Sequence, residues 1–293
     1  MTGSQPIARG PEPVDRHSPR LAIGFATLFL LLITAVASIA AAQYGGWGWR
    51  RTPPRFASPG ESDRAFTFSR AMYQSVRREW LGTGWNTDYP DSDYNFMIRL
   101  SELTHTPVSF DGDQPNHVVV QLTDNTLYDY PFLFMSDVGT AYFSPSEVKR
   151  LRRYLELGGF LWVDDFWGPS AWERWVEQIG QVLTPSEYPI RDLPLSHPIF
   201  NSLYHVEKIP QVPSIQFWRR SGGASTSERG TDSGEPHFRG ISDANDRLMV
   251  FMSHNTDIAD GWEREGESTE FFHKFSIDAY AVGINVVLYA MSH

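Results

Sequence analysis

The sequence predicts an α/β fold with a mostly parallel sheet and one additional N-terminal apolar helix, and three observations carry that prediction. The runs His117-Val118-Val119-Val120-Gln121-Leu122, Pro131-Phe132-Leu133-Phe134-Met135 and Phe160-Leu161-Trp162-Val163 are short and continuously apolar. Strands covered on both faces read this way. Between the second and third runs, Val148, Leu151, Tyr154 and Leu155 recur at helical spacing, which gives the strand–helix–strand order of a right-handed βαβ unit. The third observation is Leu21–Ala42, 22 residues without a charged side chain.

Taken in order, residues 1–20 are punctuated by Pro6, Gly10, Pro11, Pro13 and Pro19 and are expected to be disordered. Leu21–Ala42 is long enough to cross a hydrocarbon core. It also has the parts of a secretory signal, with Arg9, Arg16 and Arg20 ahead of it and Ala40-Ala41-Ala42 as a cleavage site before Gln43. A retained single-pass transmembrane anchor and a cleaved signal are both compatible with it, and either puts the globular part in the periplasm. Residues 43–64 form a Gly/Trp/Arg/Pro tether, and 65–293 are expected to be one domain.

Within that domain, Ala65-Phe66-Thr67-Phe68 alternates like a strand. Asp91 or Ser92 is expected to cap a helix carrying Phe96, Met97, Leu100 and Leu103. Ser144-Pro145-Ser146-Glu147 opens the next helix with a capping box and a first-turn proline, and Gly158-Gly159 ends it. Trp172, Trp175, Val176 and Ile179 mark a further helix, and residues 183–213 an ordered loop packed by aromatics. Ser214-Ile215-Gln216-Phe217-Trp218 and Arg247–Met252 read as strands, with a Gly/Ser-rich mobile loop over 221–235 between them. A regular helix over 269–290 closes the chain.

Composition removes several function classes. The chain carries −10 in all; residues 1–42 hold three Arg against Glu12 and Asp15, so the remainder carries −11. A domain that acidic repels phosphate backbones, and nucleic acid is not expected as a partner. Cysteine is absent, which excludes disulfides, thiolate metal sites and a cysteine nucleophile. There is no G-x-S-x-G elbow, no H-E-x-x-H, no Walker loop and no dinucleotide fingerprint.

Ligands of open α/β sheets bind outside the carboxyl ends of the parallel strands. Here Met135 leads to Asp137, Val163 to Asp164 and Asp165, and Met252 to His254, Asn255, Asp257 and Asp260. Asp137, Asp164, Asp165, His254 and Asp257 are therefore the candidate catalytic residues. Asp137, Asp164, Asp165 and Asp257 are also candidate ligands for Mg²⁺, Ca²⁺ or Mn²⁺, because carboxylates brought together bind a cation or raise one another's pKa. Asp88, His197, Glu228, Arg229, Asn255 and Asp260 are candidate ligand-binding residues. Each has a plain structural alternative: the Asp88-Tyr89-Pro90-Asp91 knot compensates a helix dipole, and a loop histidine such as His197 or His205 is structural.

Asp88-Tyr89-Pro90, Phe132–Gly139, Gly158–Asp165, His197-Pro198-Ile199-Phe200 and His254-Asn255-Thr256-Asp257 together resemble the bacterial family catalogued as domain of unknown function 4159. The resemblance covers about residues 65–291. It implies a distant similarity to class I glutamine amidotransferase-like domains, and hence a flavodoxin-like three-layer sandwich. The place of the amidotransferase nucleophile falls on Asp164-Asp165, so the resemblance implies a fold without that chemistry. It further implies neighbours of the MoxR-type ATPase and von Willebrand A kinds, and with them partners among envelope proteins.

Two functional expectations follow. One is a membrane-associated, non-catalytic module that binds a ligand or protein at the sheet's carboxyl edge. The other is a metal-assisted hydrolase of envelope glycan or peptide, using the strand-end Asp/His cluster.

Overall fold

The computed structural model describes residues 52–293, with the isolated Thr2, and the apolar segment 21–42 and residues 43–51 lie outside the described residues. Thr52–His293 form one compact unit. Seven strands make its central sheet: β1 (Phe68–Met72), β2 (His117–Gln121), β3 (Phe132–Met135), β4 (Phe160–Phe166), β5 (Arg191–Asp192), β6 (His237–Ser242) and β7 (Leu248–His254). Their spatial order is β2-β1-β3-β4-β7-β6-β5. The first five are parallel, with Phe132 beside Phe160 and Met135 beside Val163 in the β3–β4 pair. The last two add antiparallel at one edge. At the other edge part of the expected tether joins the sheet, since Val119 exchanges backbone hydrogen bonds with Arg55 and Ala57.

Alternation along the strands divides the core between the two faces. On one face Phe68, Phe132, Phe134, Phe160, Trp162 and Phe251 meet helix α1 (Asp91–Leu103) and the C-terminal helix. On the other Leu133, Met135, Leu161, Val163 and Val250 meet α2 (Pro145–Glu156) and α3 (Gly168–Val182). Helix α2 begins as its capping box dictates, Ser144 Oγ accepting from the Glu147 N–H and the Glu147 carboxylate accepting from the Ser144 N–H. The C-terminal helix, Thr269–Ser292, passes through a π-helical turn at Phe272–Ser276. Among the described residues it alone is long and apolar enough to cross a membrane, and most of its apolar window is buried inside the domain.

Four local expectations need correction. Ser214–Trp218 is not a strand: Ser214 caps helix α4 (Ile215–Arg220) by accepting from the Phe217 N–H at 3.2 Å, and Ile215 and Trp218, three apart, turn inward. The 221–235 loop, expected to be mobile, is anchored to the domain at two points. Glu228 and Ser233 in it are buried, and Glu228 accepts the Ser214 N–H at 2.8 Å. Helix α1 has no side-chain cap; Ser92 and Asp93 point inward to Arg70 instead. The first strand lies at 68–72, later than expected, and Phe66 makes only an isolated bridge to Val108.

Candidate functional site

The loops that leave the carboxyl ends of β1, β3, β4 and β7 converge on one edge of the sheet. Asp88 comes from the loop between β1 and α1, Asp137 from the residues after β3, Asp165 from the end of β4, and Asp257 from the loop after β7. Helix α5 (Asp260–Glu263) adds Asp260 and Glu263. Carboxylate oxygens of Asp88, Asp165 and Asp257 lie within 4.8 Å of one another, and so do those of Asp88, Asp260 and Glu263. Asp88 belongs to both triplets.

The backbone at these positions is unusual. Asp88, Asp137, Asp165 and Asn255 have φ of 64°, 52°, 53° and 60°, the left-handed region that costs an L-residue roughly 1–2 kcal/mol. Four non-glycine residues held this way at one edge mark a place where the surrounding fold enforces a geometry. Part of that enforcement is visible. The Arg70 guanidinium, buried in β1, donates to the carbonyls of Trp85 and Thr87 at 3.1 and 2.9 Å and so fixes the Asp88 loop. Gly84 in the same loop donates its N–H to Asp137 at 2.8 Å.

Electrostatically the cluster is only partly compensated: Arg264 pairs with Glu263 at 2.9 Å, and the Trp167 and Asp260 N–H groups donate to Asp165 and Asp257. Burial raises the Asp88 pKa well above its usual value, and the charges of Asp260, Glu263 and Asp165 raise it further. Asp165 is raised by burial and then by Asp137, Glu228 and Asp164. Asp257 is raised by burial, then by Asp165 and Asp88. Asp260 is raised by burial and Glu263. Burial also lifts Asp137 to about 7, against the Gly84 hydrogen bond. Asp88 Oδ2 is buried without any hydrogen-bond partner. A buried carboxylate oxygen without a hydrogen-bond partner is costly, and such groups call for a specific account.

Other sequence candidates fall elsewhere. Asp164, beside Asp165 in β4, turns to the opposite side: it accepts from Ser253 Oγ and from the Ala259 N–H at 2.9 Å, and Ser253 in turn accepts the Trp162 indole N–H. These bonds offset its burial, leaving its pKa at about 6. His254 packs at a tilt against Phe166 and Trp172, with ring centroids 4.9 and 5.0 Å away. Its Nε2 reaches the Gly168 carbonyl at 3.3 Å and its Nδ1 faces Arg239 at 3.1 Å, and burial lowers its pKa to about 4. It is a neutral packing residue, outside the cluster. Asn255 is an anchor: its Oδ1 takes the Gly168 N–H and its Nδ2 donates to the Glu235 carbonyl, both at 2.8 Å. His197 caps a short turn by accepting the Ile199 N–H at 3.2 Å and is remote from the acids. Glu228 and Arg229 stand at the margin, where Arg229 pairs with Glu79 at 3.3 Å and Glu228 at 3.5 Å.

Sequence reasoning missed Glu263 and Arg70. Glu263 sits three residues after Asp260, on the same side of a helical turn, and that spacing was a usable signal. Arg70 was legible as a lone charge inside the apolar stretch Phe66–Met72, a position that demands a buried counter-ion.

The sequence model of the family described as Domain of unknown function (DUF4159) matches residues 68–291. No curated protein matches the chain.

Proposed function

We propose a function for this chain, which belongs to the domain of unknown function 4159 family, on the premise that its acidic edge is a divalent-cation site. Asp88, Asp165 and Asp257 would hold the ion, with Asp260 and Glu263 behind them. The observation that carries the reading is the approach of Asp88, Asp165 and Asp257, from three strand ends, to within 4.8 Å of one another through carboxylate oxygens, with Asp88 Oδ2 buried and unpartnered. Ions with metal–oxygen bonds of about 2.0–2.6 Å bring opposed ligands about 4–5 Å apart, so Mg²⁺, Mn²⁺ or Ca²⁺ suits the spacing and the all-oxygen donor set.

In this reading the protein is a cation-dependent binding module held at the periplasmic side of a membrane by residues 21–42, and its partner is an envelope protein or ligand. The strand order β2-β1-β3-β4-β7 supports a flavodoxin-like, amidotransferase-like sheet, in which Asp88 and Asp137 flank the point where strand order reverses between β1 and β3. The place where an amidotransferase carries its cysteine holds Asp164 and Asp165.

Asp137 favours a second reading, metal-assisted hydrolysis of envelope glycan or peptide. A carboxylate with a pKa near 7, fixed through one oxygen by Gly84 and adjoining the acids, has the properties of a general base at neutral pH. A bound divalent ion supplies Lewis-acid polarisation in such a site.

Calorimetric titration of Mn²⁺ into the detergent-solubilised full chain tests the first reading, with Asp165→Asn and Asp257→Asn expected to abolish binding. Unchanged titration curves in both variants, or no heat in the parent, would refute it. Release of new reducing ends or free amines from cell-wall sacculi, dependent on Mn²⁺ and on Asp137, would establish the second.

A further inference from the structure

The edge strand β2 is closed by residues that precede the sheet in sequence. Val119 donates its N–H to the Arg55 carbonyl at 2.7 Å and accepts the Ala57 N–H at 3.0 Å, and Phe56 between them makes a parallel bridge to Val119. The Arg55 guanidinium adds Glu61 at 2.9 Å and Asp111 at 2.8 Å. In sequence Arg55 follows Ala42, the last residue of the apolar segment, by 13 positions.

One contact of this short strand leads to the acids. The Arg55 N–H donates to Tyr89 Oη at 3.0 Å. Tyr89 is the residue after Asp88, and its ring packs against Trp85 and His117 with centroids 5.7 and 5.6 Å away. The Asp88 loop is thus held from two sides, by Arg70 through the Trp85 and Thr87 carbonyls and by the strand through Tyr89. The two holds differ in strength. Arg70 is inaccessible and paired with Asp93, whereas the strand rests on two backbone bonds, the Tyr89 bond and ion pairs between partly exposed side chains. Exposed ion pairs contribute little, and an edge segment held this lightly opens without global unfolding. The strand therefore has a docked and a released state, and Tyr89 Oη receives the Arg55 N–H only in the first.

We propose that this strand is a strap coupled to the cation site. Docked, it holds Tyr89 and keeps the Asp88 carboxylate beside those of Asp165, Asp257, Asp260 and Glu263; released, it lets the Asp88 loop relax and lowers cation affinity. Tyr89 is the positioning residue between strap and site. Given the cation reading on which it rests, the coupling places regulation of the site in the residues that follow the apolar segment. Linkage makes the effect reciprocal, so a bound cation also holds the strap down.

Hydrogen–deuterium exchange and calorimetry on the detergent-solubilised full chain test the coupling. Mn²⁺ should slow exchange across 52–61 and 117–121, and Asp257→Asn should remove that slowing together with Mn²⁺ binding. Tyr89→Phe keeps the ring and deletes the acceptor, and Ala57→Pro deletes a strap hydrogen bond without touching the Asp88 loop. Each should weaken Mn²⁺ binding by about three- to tenfold, the equivalent of one hydrogen bond. A purely structural role for Tyr89 would lower the melting temperature and leave Mn²⁺ affinity as it is. Mn²⁺ binding with unchanged exchange over 52–61, or both variants binding Mn²⁺ as the parent does, would overturn the strap and leave the cation site standing. No heat of Mn²⁺ binding in the parent would overturn both.

Discussion

Asp93, in the first turn of helix α1, and Asp88, in the loop just before it, are five residues apart, and their carboxylates have opposite lives. Asp93 is fully buried and satisfied: Arg70 reaches it at 2.5 Å, both side chains are inaccessible, and Ser92 adds a hydroxyl at 3.0 Å. The guanidinium is itself saturated by Ser92, Trp85 and Thr87 and lies 4.9 Å over the Phe134 ring. Asp88, on the loop that this arginine fixes, has one buried oxygen without a partner and four acids around it, Asp165, Asp257, Asp260 and Glu263. A single cation thus neutralises one acid outright and, while fixing the loop of another, only partly offsets the repulsion on it. The difference teaches that burial alone does not decide the state of a carboxylate; the donors and cations that face it do.

The comparison is broken most severely at the arginine. Arg70→Met strands Asp93 and frees the Asp88 loop, and breaking a buried pair this way costs about 3–5 kcal/mol. Urea melts should show that loss, and Arg70→Met with Asp93→Leu should recover much of it. If Arg70→Met were as stable as the parent, the supporting role assigned to Arg70 would be wrong.

Acidity sharpens the contrast. Asp137 and Asp164, at about 7 and about 6, are raised above the unfolded carboxylate range near 4. The folded state therefore binds more protons across that window, so the contribution is fully present below the unfolded pKa and is lost as pH rises through the folded ones. The EDTA-treated protein should be more stable at pH 5 than at pH 7, by about 3–4 kcal/mol for two shifts of this size. Mn²⁺ should shrink the difference. Urea midpoints at the two pH values decide it, and greater stability at pH 7 without metal would contradict the account.

Next in size is Asp164, the satisfied neighbour of Asp165. Asp164→Ala removes the acceptor for Ser253 and for the Ala259 N–H, and leaving buried donors unmet costs about 1–3 kcal/mol. Thermal denaturation checks it. Cation binding should survive, because Asp164 is not among the carboxylates whose oxygens converge.

The smallest effect has the opposite sign. Asp165→Asn removes one repelling charge while keeping a residue that tolerates left-handed backbone, so stability should hold or rise by up to about 1 kcal/mol. Asp165→Ala, which tolerates that backbone less well, should melt below Asp165→Asn. Equal melting of the two would remove the argument from backbone geometry.

How much of this was legible follows from local chemistry. β2, β3, β4 and β7 announced themselves because strands covered on both faces are apolar throughout, and α2 because its capping box is local. β6 was not visible, since His237-Phe238-Arg239-Gly240-Ile241-Ser242 places an arginine and a glycine in a strand that owes its position to pairing with β7. Ser214–Trp218 is too short for its spacing to separate helix from strand, and Ser214 as a cap decides it. At the site, the strand ends named Asp137, Asp165 and Asp257. Adjacency in sequence could not tell Asp165 from Asp164, because alternate residues of a strand face opposite ways. Nor could it show that the knot at Asp88, legible as dipole compensation, closes the cluster.

The left-handed backbone at Asp88, Asp137, Asp165 and Asn255 also limits what mutation can do to this edge. Glycine, asparagine and aspartate occupy such a backbone most readily, and of these only aspartate carries charge. A library of variants selected for expression alone would therefore drift at the three aspartates toward Asn and Gly, which relieve repulsion or strain, and away from Ala, Val or Leu. A library selected for what the protein does would hold the aspartates against that drift, so the divergence between the two selections is a functional readout that requires no knowledge of the ligand.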